Sequence, residues 1–213
     1  MSNWNYGDAY LRYPLTDGEP HIFPDGSTVQ AHDIFNPLPE FMLAADLIFT
    51  DSPWNTGNLT SFYTKAGKDS KFDAFLSFYI RLFECIREIA PKVCYLEIGK
   101  QYLADFIKEM QPLFKYVTFY NSSYYHRKDN ICYVLRGSQK AAKPKLDYMD
   151  EEDIIAWVCE NEDYDCIGDL CMGLGLVGYG AYKNGRRFVG TELNERRLAV
   201  LLEKIYGRRG KGR

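Results

Sequence analysis

Two kinds of apolar pattern alternate along the chain. Short apolar runs of about four to eight residues predict buried strands, and longer stretches with an apolar residue at every third or fourth position predict amphipathic helices. The short runs are 27–35, 45–50, 92–99, 115–121, 130–137, 164–171 and 186–193. The periodic stretches are 71–90, 100–110, 150–161, 176–185 and 194–207. After residue 26, the chain is therefore a regular succession of strands and helices.

This succession predicts one α/β fold with a doubly wound, mainly parallel, seven-stranded and Rossmann-like sheet. The strands 115–121 and 130–137 are close in sequence, so one strand is expected to run antiparallel to the rest. Residues 1–26 are rich in Gly, Pro and Asp and are predicted to form an N-terminal arm. Residues 27–207 are predicted to form the domain, and residues 208–213 a basic tail. In such a sheet, ligands bind at the carboxyl ends of the strands.

Composition limits the function further. A net charge of −3 gives no overall attraction to nucleic acid, although lysines and arginines cluster locally. The six cysteines form no C-x-x-C pair, which predicts free buried thiols, a reducing cytoplasmic location and no metal site. The first residues do not resemble a secretory signal, and no apolar run is long enough to span a membrane. An aromatic content of 15% fits a Tyr-rich core or a surface that stacks on bases.

The segment FTDSPWNTGN, residues 49–58, places polar chemistry at the end of the second predicted strand. Pro53 cannot donate to a sheet ladder and pushes Ser52 toward an extended backbone, so the strand ends here. Its tip then presents the Asp51 carboxylate, the Ser52 carbonyl and the Trp54 ring. Together these groups can hold an amino group on an aromatic base.

A second motif, DLCMGLGLVGYG at 169–180, begins at the end of the sixth predicted strand. Gly173, Gly175 and Gly178 match the G-x-G-x-x-G spacing that lets a backbone approach a ligand closely. Glu192 ends the next strand, where a carboxylate can accept from the hydroxyls of a ribose. These features indicate a nucleoside-type cofactor. A dinucleotide stays open at this point, whereas a phosphate-binding P-loop is excluded because no G-K-[ST] follows.

Together the two motifs resemble those of the amino-methyltransferases that use S-adenosylmethionine to methylate adenine N6 or cytosine N4 in DNA. DSPW at 51–54 resembles the family motif Asp/Asn/Ser-Pro-Pro-Tyr/Phe/Trp, with Ser in place of the first Pro. DLCMGLGLV at 169–177 and GRRFVGTELN at 185–194 resemble its cofactor segments. The amine motif comes first, as in the permuted beta group, and the resemblance spans roughly residues 29–206. It implies that residues 27–207 form an S-adenosylmethionine-dependent methyltransferase domain.

The resemblance also implies roles for individual residues. Asp51 and the Ser52 carbonyl would hold the two amine hydrogens, and Trp54 would stack on the base. The implied catalytic residues are Asp51, Ser52, Pro53 and Trp54, and the implied cofactor-binding residues are Asp33, Asp169, Met172, Gly173, Gly175, Glu192 and Asn194. Candidate contacts to the substrate are Asn55, Lys65, Lys68 and Lys71. No metal is implied, because the methyl donor carries its own leaving group.

The implied substrate is adenine in DNA, since Asp at the first motif position is similar to the adenine enzymes, whereas cytosine enzymes more often carry Ser. Cytosine N4 and adenine in RNA stay open as alternatives. The segment 138–150 is too short for a target-recognition domain. Recognition is therefore assigned to the loop 55–71, the N-terminal arm, a homodimer mate or a separate specificity subunit, and low sequence specificity stays open as the alternative. Leu170, Leu174, Leu176 and Val177 depart from the more typical small or polar residues of the family's cofactor turn. They leave an inactive partner subunit as a further alternative.

Overall fold

The computed structural model describes residues 6–69 and 75–207. Its strands are β1 (Pro20–Ile22), β2 (Thr28–Ala31), β3 (Leu47–Asp51), β4 (Val93–Ile98), β5 (Tyr116–Tyr124), β6 (Arg127–Ser138), β7 (Cys166–Asp169) and β8 (Arg187–Glu192). Its helices are α1 (Ala9–Arg12), α2 (Thr56–Lys65), α3 (Phe75–Ile89), α4 (Leu103–Met110), α5 (Glu151–Asn161), α6 (Leu176–Lys183) and α7 (Glu195–Tyr206). Short 3-10 turns at Glu40–Ala44 and Lys100–Tyr102 precede β3 and α4.

The strands form one eight-stranded sheet in the order β1-β2-β8-β7-β3-β4-β6-β5. Strands β2, β8, β7, β3 and β4 run parallel to one another, and β6 runs antiparallel to both of its neighbours. The predicted fold class is therefore confirmed, with all seven predicted strands present. β1 adds an eighth strand, antiparallel to β2, from the segment that was predicted to be an irregular arm. A three-residue edge strand that begins with Pro has no alternating pattern by which it could be predicted.

Helix α2 corrects the sequence prediction, which treated residues 55–71 as a loop. Its ten residues include a glycine and three threonines, all of which disfavour a helix. The Asn55 side chain accepts from a backbone N–H of the first turn at 2.9 Å and so caps the helix. Leu59 and Tyr63, one turn apart, are buried against the core. Tertiary burial and the cap therefore outweigh the weak local propensity.

The five predicted helices correspond to α3, α4, α5, α6 and α7, with ends that differ by a few residues. Residues 71–74 of the first predicted helix lie outside the described part of the chain. None of the described helices is both long enough and apolar enough to cross a membrane.

Apolar side chains cover both faces of the sheet. On one face, Phe83 of α3 and Phe106 of α4 pack edge to face with ring centroids 5.3 Å apart. On the other, Phe49 of β3 and Tyr95 of β4 stack at 5.7 Å beneath apolar residues of α5. The six cysteines are free thiols, and five of them are buried. Burial on both faces explains why the parallel strands read as continuous apolar runs.

The sheet changes winding direction between β3 and β7. β3 is followed by β4 on one side, and β7 is followed by β8 on the other. Between these neighbouring strands, the connections leave in opposite directions and open a crevice at the carboxyl ends, where doubly wound sheets bind ligands. Asp51 ends β3 and Asp169 ends β7, so the two sequence motifs both start at this crevice.

Candidate active site

A cavity of about 460 Å³ lies in this crevice. Its volume is within the range of small-molecule and cofactor sites. The sequence-predicted residues that line it are Asp51, Ser52, Pro53, Trp54, Lys65, Asp169, Met172, Gly173 and Glu192. The structure thus brings the amine motif and the glycine turn to a single cavity, although they are more than 100 residues apart in sequence.

Asp51 lies in the cavity wall with two neutral donors. The Trp54 indole Nε1–H donates to one carboxylate oxygen at 3.2 Å, and the Tyr124 hydroxyl donates to the other at 3.3 Å. Burial raises the pKa of Asp51 to about 6, and these two hydrogen bonds limit the rise. Each carboxylate oxygen retains a further lone pair that can accept a hydrogen from an amine.

Trp54 and Ser52 complete the tip of β3. The Trp54 ring meets the Tyr124 ring edge to face at 5.4 Å. It lies against Gly99, where a Cβ atom would approach the indole to 2.9 Å, so Gly99 makes room for the ring. Ser52 is 2% exposed and its hydroxyl has no hydrogen-bond partner among the described residues. The tip therefore offers an aromatic face and an unpaired polar atom beside the Asp51 carboxylate.

Glu97 is a cavity residue that the sequence motifs do not contain. It pairs in register with Asp51 on the neighbouring strand β4, so the two side chains point to the same face of the sheet. Glu97 is fully buried, and neither carboxylate oxygen meets an N–H or O–H donor among the described residues. Burial first, and the Asp51 charge next, hold its pKa well above the usual range, and the Cys132 thiol offsets part of this rise.

The glycine turn forms the opposite wall of the cavity. Gly173 and Gly175 have φ of +55° and +74°, a left-handed conformation that glycine adopts without strain. The Gly173 N–H donates to Glu192 at 2.7 Å, and the Asn194 N–H donates to the other Glu192 oxygen at 3.1 Å. Gly175 lies outside the cavity wall and packs under Leu201, where a Cβ atom would sit 2.6 Å from the leucine. The turn therefore presents the Gly173 backbone and the Glu192 carboxylate to the cavity, beside the side chains of Cys171, Met172 and Leu174.

Arg197 of α7 reaches the same wall. Its guanidinium lies 5.0 Å from the ring centroid of Phe62 and 3.9 Å from a carboxylate oxygen of Glu192. Its Nε–H is buried without a partner among the described residues. Burial raises the pKa of Glu192, and the Arg197 charge limits that rise. This wall thus combines an acid, a cation and an aromatic ring.

Asp169 is held inside the turn. It accepts from the Cys171 N–H at 3.0 Å and from the Thr50 hydroxyl at 3.3 Å, and Thr50 in turn accepts from the Leu170 N–H at 3.0 Å. Burial raises the pKa of Asp169 to about 8, against the effect of the Cys171 hydrogen bond. These bonds join β3 to β7 across the crevice and fix the separation of the two motifs.

Two predicted site residues, Asp33 and Lys68, contact other groups and do not line the cavity. Asp33 lies behind the wall and accepts from the Tyr63 hydroxyl at 2.7 Å, while the Tyr63 ring lines the cavity. Lys68 is away from the cavity and forms an ion pair with Asp17 at 3.1 Å. Lys71 lies outside the described residues. Of the two predicted lysines that the structure describes, Lys65 lies in the cavity wall and Lys68 does not.

Asn55 and Asn194 are helix caps. Their side chains accept from backbone N–H groups of α2 and α7 at 2.9 Å and 3.0 Å. Asn194 also donates to the Lys65 carbonyl at 3.2 Å, which ties the end of α2 to the start of α7. Both amides therefore shape the cavity entrance from outside its wall.

Among residues 6–69 and 75–207, no group of His, Cys, Asp and Glu side chains is arranged to hold a metal ion. The described cavity instead offers acceptors for an amine, a glycine turn with an acid for a hydroxylated group, and aromatic rings for a planar group. Such a set of groups suits the binding of two organic molecules side by side.

No protein-family profile and no curated protein matches the chain in sequence. Solved structures do share its fold. M1.HpyAVI superposes with a TM-score of 0.56 at 15% identity, over 83% of this chain and 97% of that chain. A proposed DNA modification methylase from Thermus thermophilus, in complex with S-adenosyl-L-methionine, has a TM-score of 0.55 at 14% identity, over 80% of this chain and 88% of that chain.

The cytosine-N4-specific PvuII DNA methyltransferase superposes with a TM-score of 0.55 at 11% identity, over 82% of this chain and 84% of that chain. At sequence identities this low, the superpositions show that the fold is shared. The common fold agrees with the doubly wound sheet predicted from the sequence.

Proposed function

We propose that this chain transfers a methyl group from S-adenosylmethionine to the exocyclic amine of a base in DNA, with adenine N6 as the target. The observation that carries the proposal is the meeting of the amine motif and the glycine turn at one cavity. Neighbours with the same fold support it, since they include a methylase crystallised with S-adenosyl-L-methionine and a DNA methyltransferase.

The glycine-turn side of the cavity fits the cofactor. Gly173 exposes its backbone to the cavity. A Cβ atom there would lie 2.7 Å from an Arg197 nitrogen, so a side chain at this position would occupy space that the cofactor needs. Glu192 keeps lone pairs beyond those that accept from the backbone, and these can receive ribose hydroxyls. When bound, S-adenosylmethionine supplies an electrophilic methyl group together with its leaving group.

The Asp51 side of the cavity fits the amine. An exocyclic amine is a poor nucleophile because its lone pair is delocalised into the ring. The Asp51 carboxylate and the Ser52 carbonyl can accept its two hydrogens and hold the nitrogen with its lone pair toward the glycine turn. Asp51 then stabilises the positive charge that develops on the nitrogen, an electrostatic effect worth a few kcal/mol. Trp54 can stack on the base, which in comparable contacts contributes about 1–3 kcal/mol.

The choice of adenine rests on Asp51 at the first position of the amine motif and belongs to the proposal. Because the link between β6 and α5 is short, we also propose that a second copy of the chain or a separate subunit supplies target recognition. A base in a duplex must also leave the stack before it can reach a cavity of this depth.

Nucleoside analysis tests the proposal directly. The purified chain is incubated with isotope-labelled S-adenosylmethionine and unmethylated genomic DNA or total RNA, and the digested nucleosides are identified by mass spectrometry. We expect labelled N6-methyladenine from DNA. Labelled N4-methylcytosine, or label in RNA alone, would refute the assigned base or polymer.

Two variants separate the chemistry from binding. Asp51→Ala should retain cofactor binding by calorimetry and lose transfer by at least about 100-fold, since it removes the charged acceptor. Asp163→Ala, which removes an exposed carboxylate before β7, is the matched control and should behave as the parent chain. A parent chain that binds the cofactor and methylates neither DNA nor RNA would be an inactive partner subunit, and the enzymatic proposal would fail.

A further inference from the structure

Glu97 has no role in the transfer as derived so far, yet it occupies the most protected position in the cavity. It is 0% exposed, it lines the cavity, and both of its carboxylate oxygens lack an N–H or O–H donor among the described residues. An unsatisfied buried polar group lowers stability, and an apolar residue of similar size would avoid this cost. A polar group that enters the cavity would give the Glu97 carboxyl a hydrogen-bond partner.

The surroundings of Glu97 favour its protonated form. Asp51 faces it from β3, Cys132 from β6 and Tyr124 from β5, while Glu151 begins α5 and Asp150 caps that helix. None of these groups is a cation, and burial alone already raises the pKa of Glu97 well above its ordinary value. A protonated carboxyl has one O–H donor and one carbonyl acceptor side by side, whereas the ionised Asp51 next to it can only accept.

We propose that the Glu97 carboxyl reads the base-pairing edge of the target base by donating its proton in a hydrogen bond to the ring nitrogen beside the amine. This inference rests on the proposed function and names a specificity-determining residue for it. In adenine the acceptor is N1 and in cytosine it is N3, and both bases carry their amine on the adjacent carbon. Guanine and thymine carry an N–H at the equivalent ring position, which a carboxyl proton would oppose.

The register of the sheet allows Asp51 and Glu97 to contact two neighbouring groups of one base. Asp51 and Glu97 are paired residues on adjacent parallel strands, which lie about 4.8 Å apart. The amine and the ring nitrogen are neighbouring groups on one edge of the base. Asp51 and the Ser52 carbonyl can therefore take the amine while Glu97 takes the ring nitrogen. Trp54 lies on the same side of the cavity and can stack on the ring.

Base analogues test the inference at the level of a single atom. Once the methylated sequence has been mapped in genomic DNA, synthetic duplexes carry adenine, 1-deazaadenine or 7-deazaadenine at the target position. 1-Deazaadenine keeps the amine and replaces N1 by C–H, whereas 7-deazaadenine alters the other side of the ring. Each duplex is assayed with the parent chain, Glu97→Ala, Glu97→Gln and the control Glu160→Ala, which changes an exposed acid on α5.

We expect the parent chain to prefer adenine over 1-deazaadenine by about 10- to 100-fold in kcat/KM, a range typical of a good hydrogen-bonded base contact. Glu97→Ala should lose this preference to within about threefold. Glu97→Gln, which keeps a donor, should retain part of it, and Glu160→Ala should retain all of it. The 7-deazaadenine duplex should give the same ratio to adenine with every variant. Comparing variants on one duplex cancels any effect of the analogue on duplex stability.

The outcomes separate the two proposals. A parent chain that methylates no nucleic acid ends the proposed function and this inference with it. A parent chain that methylates adenine, with an adenine preference that Glu97→Ala leaves intact, overturns the inference alone. Thermal unfolding of Glu97→Met, which replaces the acid by an apolar residue of similar size, is a further check. Removal of an unpaired buried acid should leave the melting temperature equal or higher, whereas a large fall would assign Glu97 a structural role and contradict the inference.

Discussion

Substitution of Asp51 by Asn should stabilise the folded protein while it removes activity. Burial raises the pKa of Asp51 from an ordinary 3.8 to about 6, so the folded state disfavours the charge. At about 1.36 kcal/mol per pKa unit, the ionised group destabilises the fold by at most about 3 kcal/mol at pH 8. The side chain is only partly buried and solvent screens it, so we expect a gain of about 1–2 kcal/mol for Asp51→Asn.

The gain should depend on pH with a definite sign. Because the pKa of Asp51 is higher in the folded than in the unfolded state, the destabilisation is present above about pH 6 and disappears as the pH falls toward 3.8. The parent and Asp51→Asn proteins should therefore converge in stability between pH 6 and pH 4. Urea unfolding followed by circular dichroism over pH 4.5–8 measures the difference, because free energies can be extrapolated at each pH.

Asp46, which directly precedes the same strand, is a matched control. Although burial raises its pKa, hydrogen bonds from the Cys166 and Asp165 backbones and from Lys92 lower it overall. Asp46→Asn should therefore destabilise the protein at pH 8. This loss of stability should disappear as the pH falls below 3.8, the ordinary pKa of an aspartate. The reasoning would be refuted if the Asp51→Asn protein were less stable than the parent at pH 8. It would also be refuted if the difference in stability between these two proteins became larger at low pH.

Two further predictions concern the stability of the fold. Gly175→Ala should lower the free energy of unfolding by about 2 kcal/mol or more, because φ is +74° and the new Cβ would lie 2.6 Å from Leu201; unchanged urea unfolding would contradict this. Arg136→Met should cost about 3–5 kcal/mol, because it leaves the part-buried Glu162 without the guanidinium that donates to it at 3.0 Å. The double variant Arg136→Met with Glu162→Leu should recover most of that loss, and failure to recover would show that the pair is not the cause.

The order of strands and helices could be predicted because strands buried on both faces carry strong apolar runs. The local sequence pattern did not predict the two elements that depend on contacts with the rest of the fold, helix α2 and strand β1. Helix α2 has a glycine and three threonines and is held by the burial of Leu59 and Tyr63. Strand β1 exists through its pairing with β2 at the sheet edge. In both cases the energy that decides the structure comes from residues distant in sequence.

The candidate site likewise contains some residues that could be predicted from the sequence and others that could not. Asp51 and the glycine turn could be predicted because proline and glycine leave local signals at the ends of strands. Glu97 also lies close to the end of a strand, but the apolar residues on either side, including Ile98, hide the signal. The Tyr124 hydroxyl reaches Asp51 across 73 residues of sequence, and Arg197 lies in a helix start rich in charge. No local pattern marks either side chain as part of a cavity.

The distribution of unsatisfied polar groups gives an independent argument for a ligand. Among the described residues, five buried side-chain nitrogen or oxygen atoms lack a hydrogen-bond partner, and four of them belong to Ser52, Glu97 and Arg197. All three residues line the one cavity that both sequence motifs reach. Replacing Ser52 or Glu97 by an apolar residue of similar size would remove this cost, so the fold itself gives no reason to keep these two polar groups. Their retention in one crevice is what a site for a polar, planar ligand requires, because the ligand supplies the missing partners.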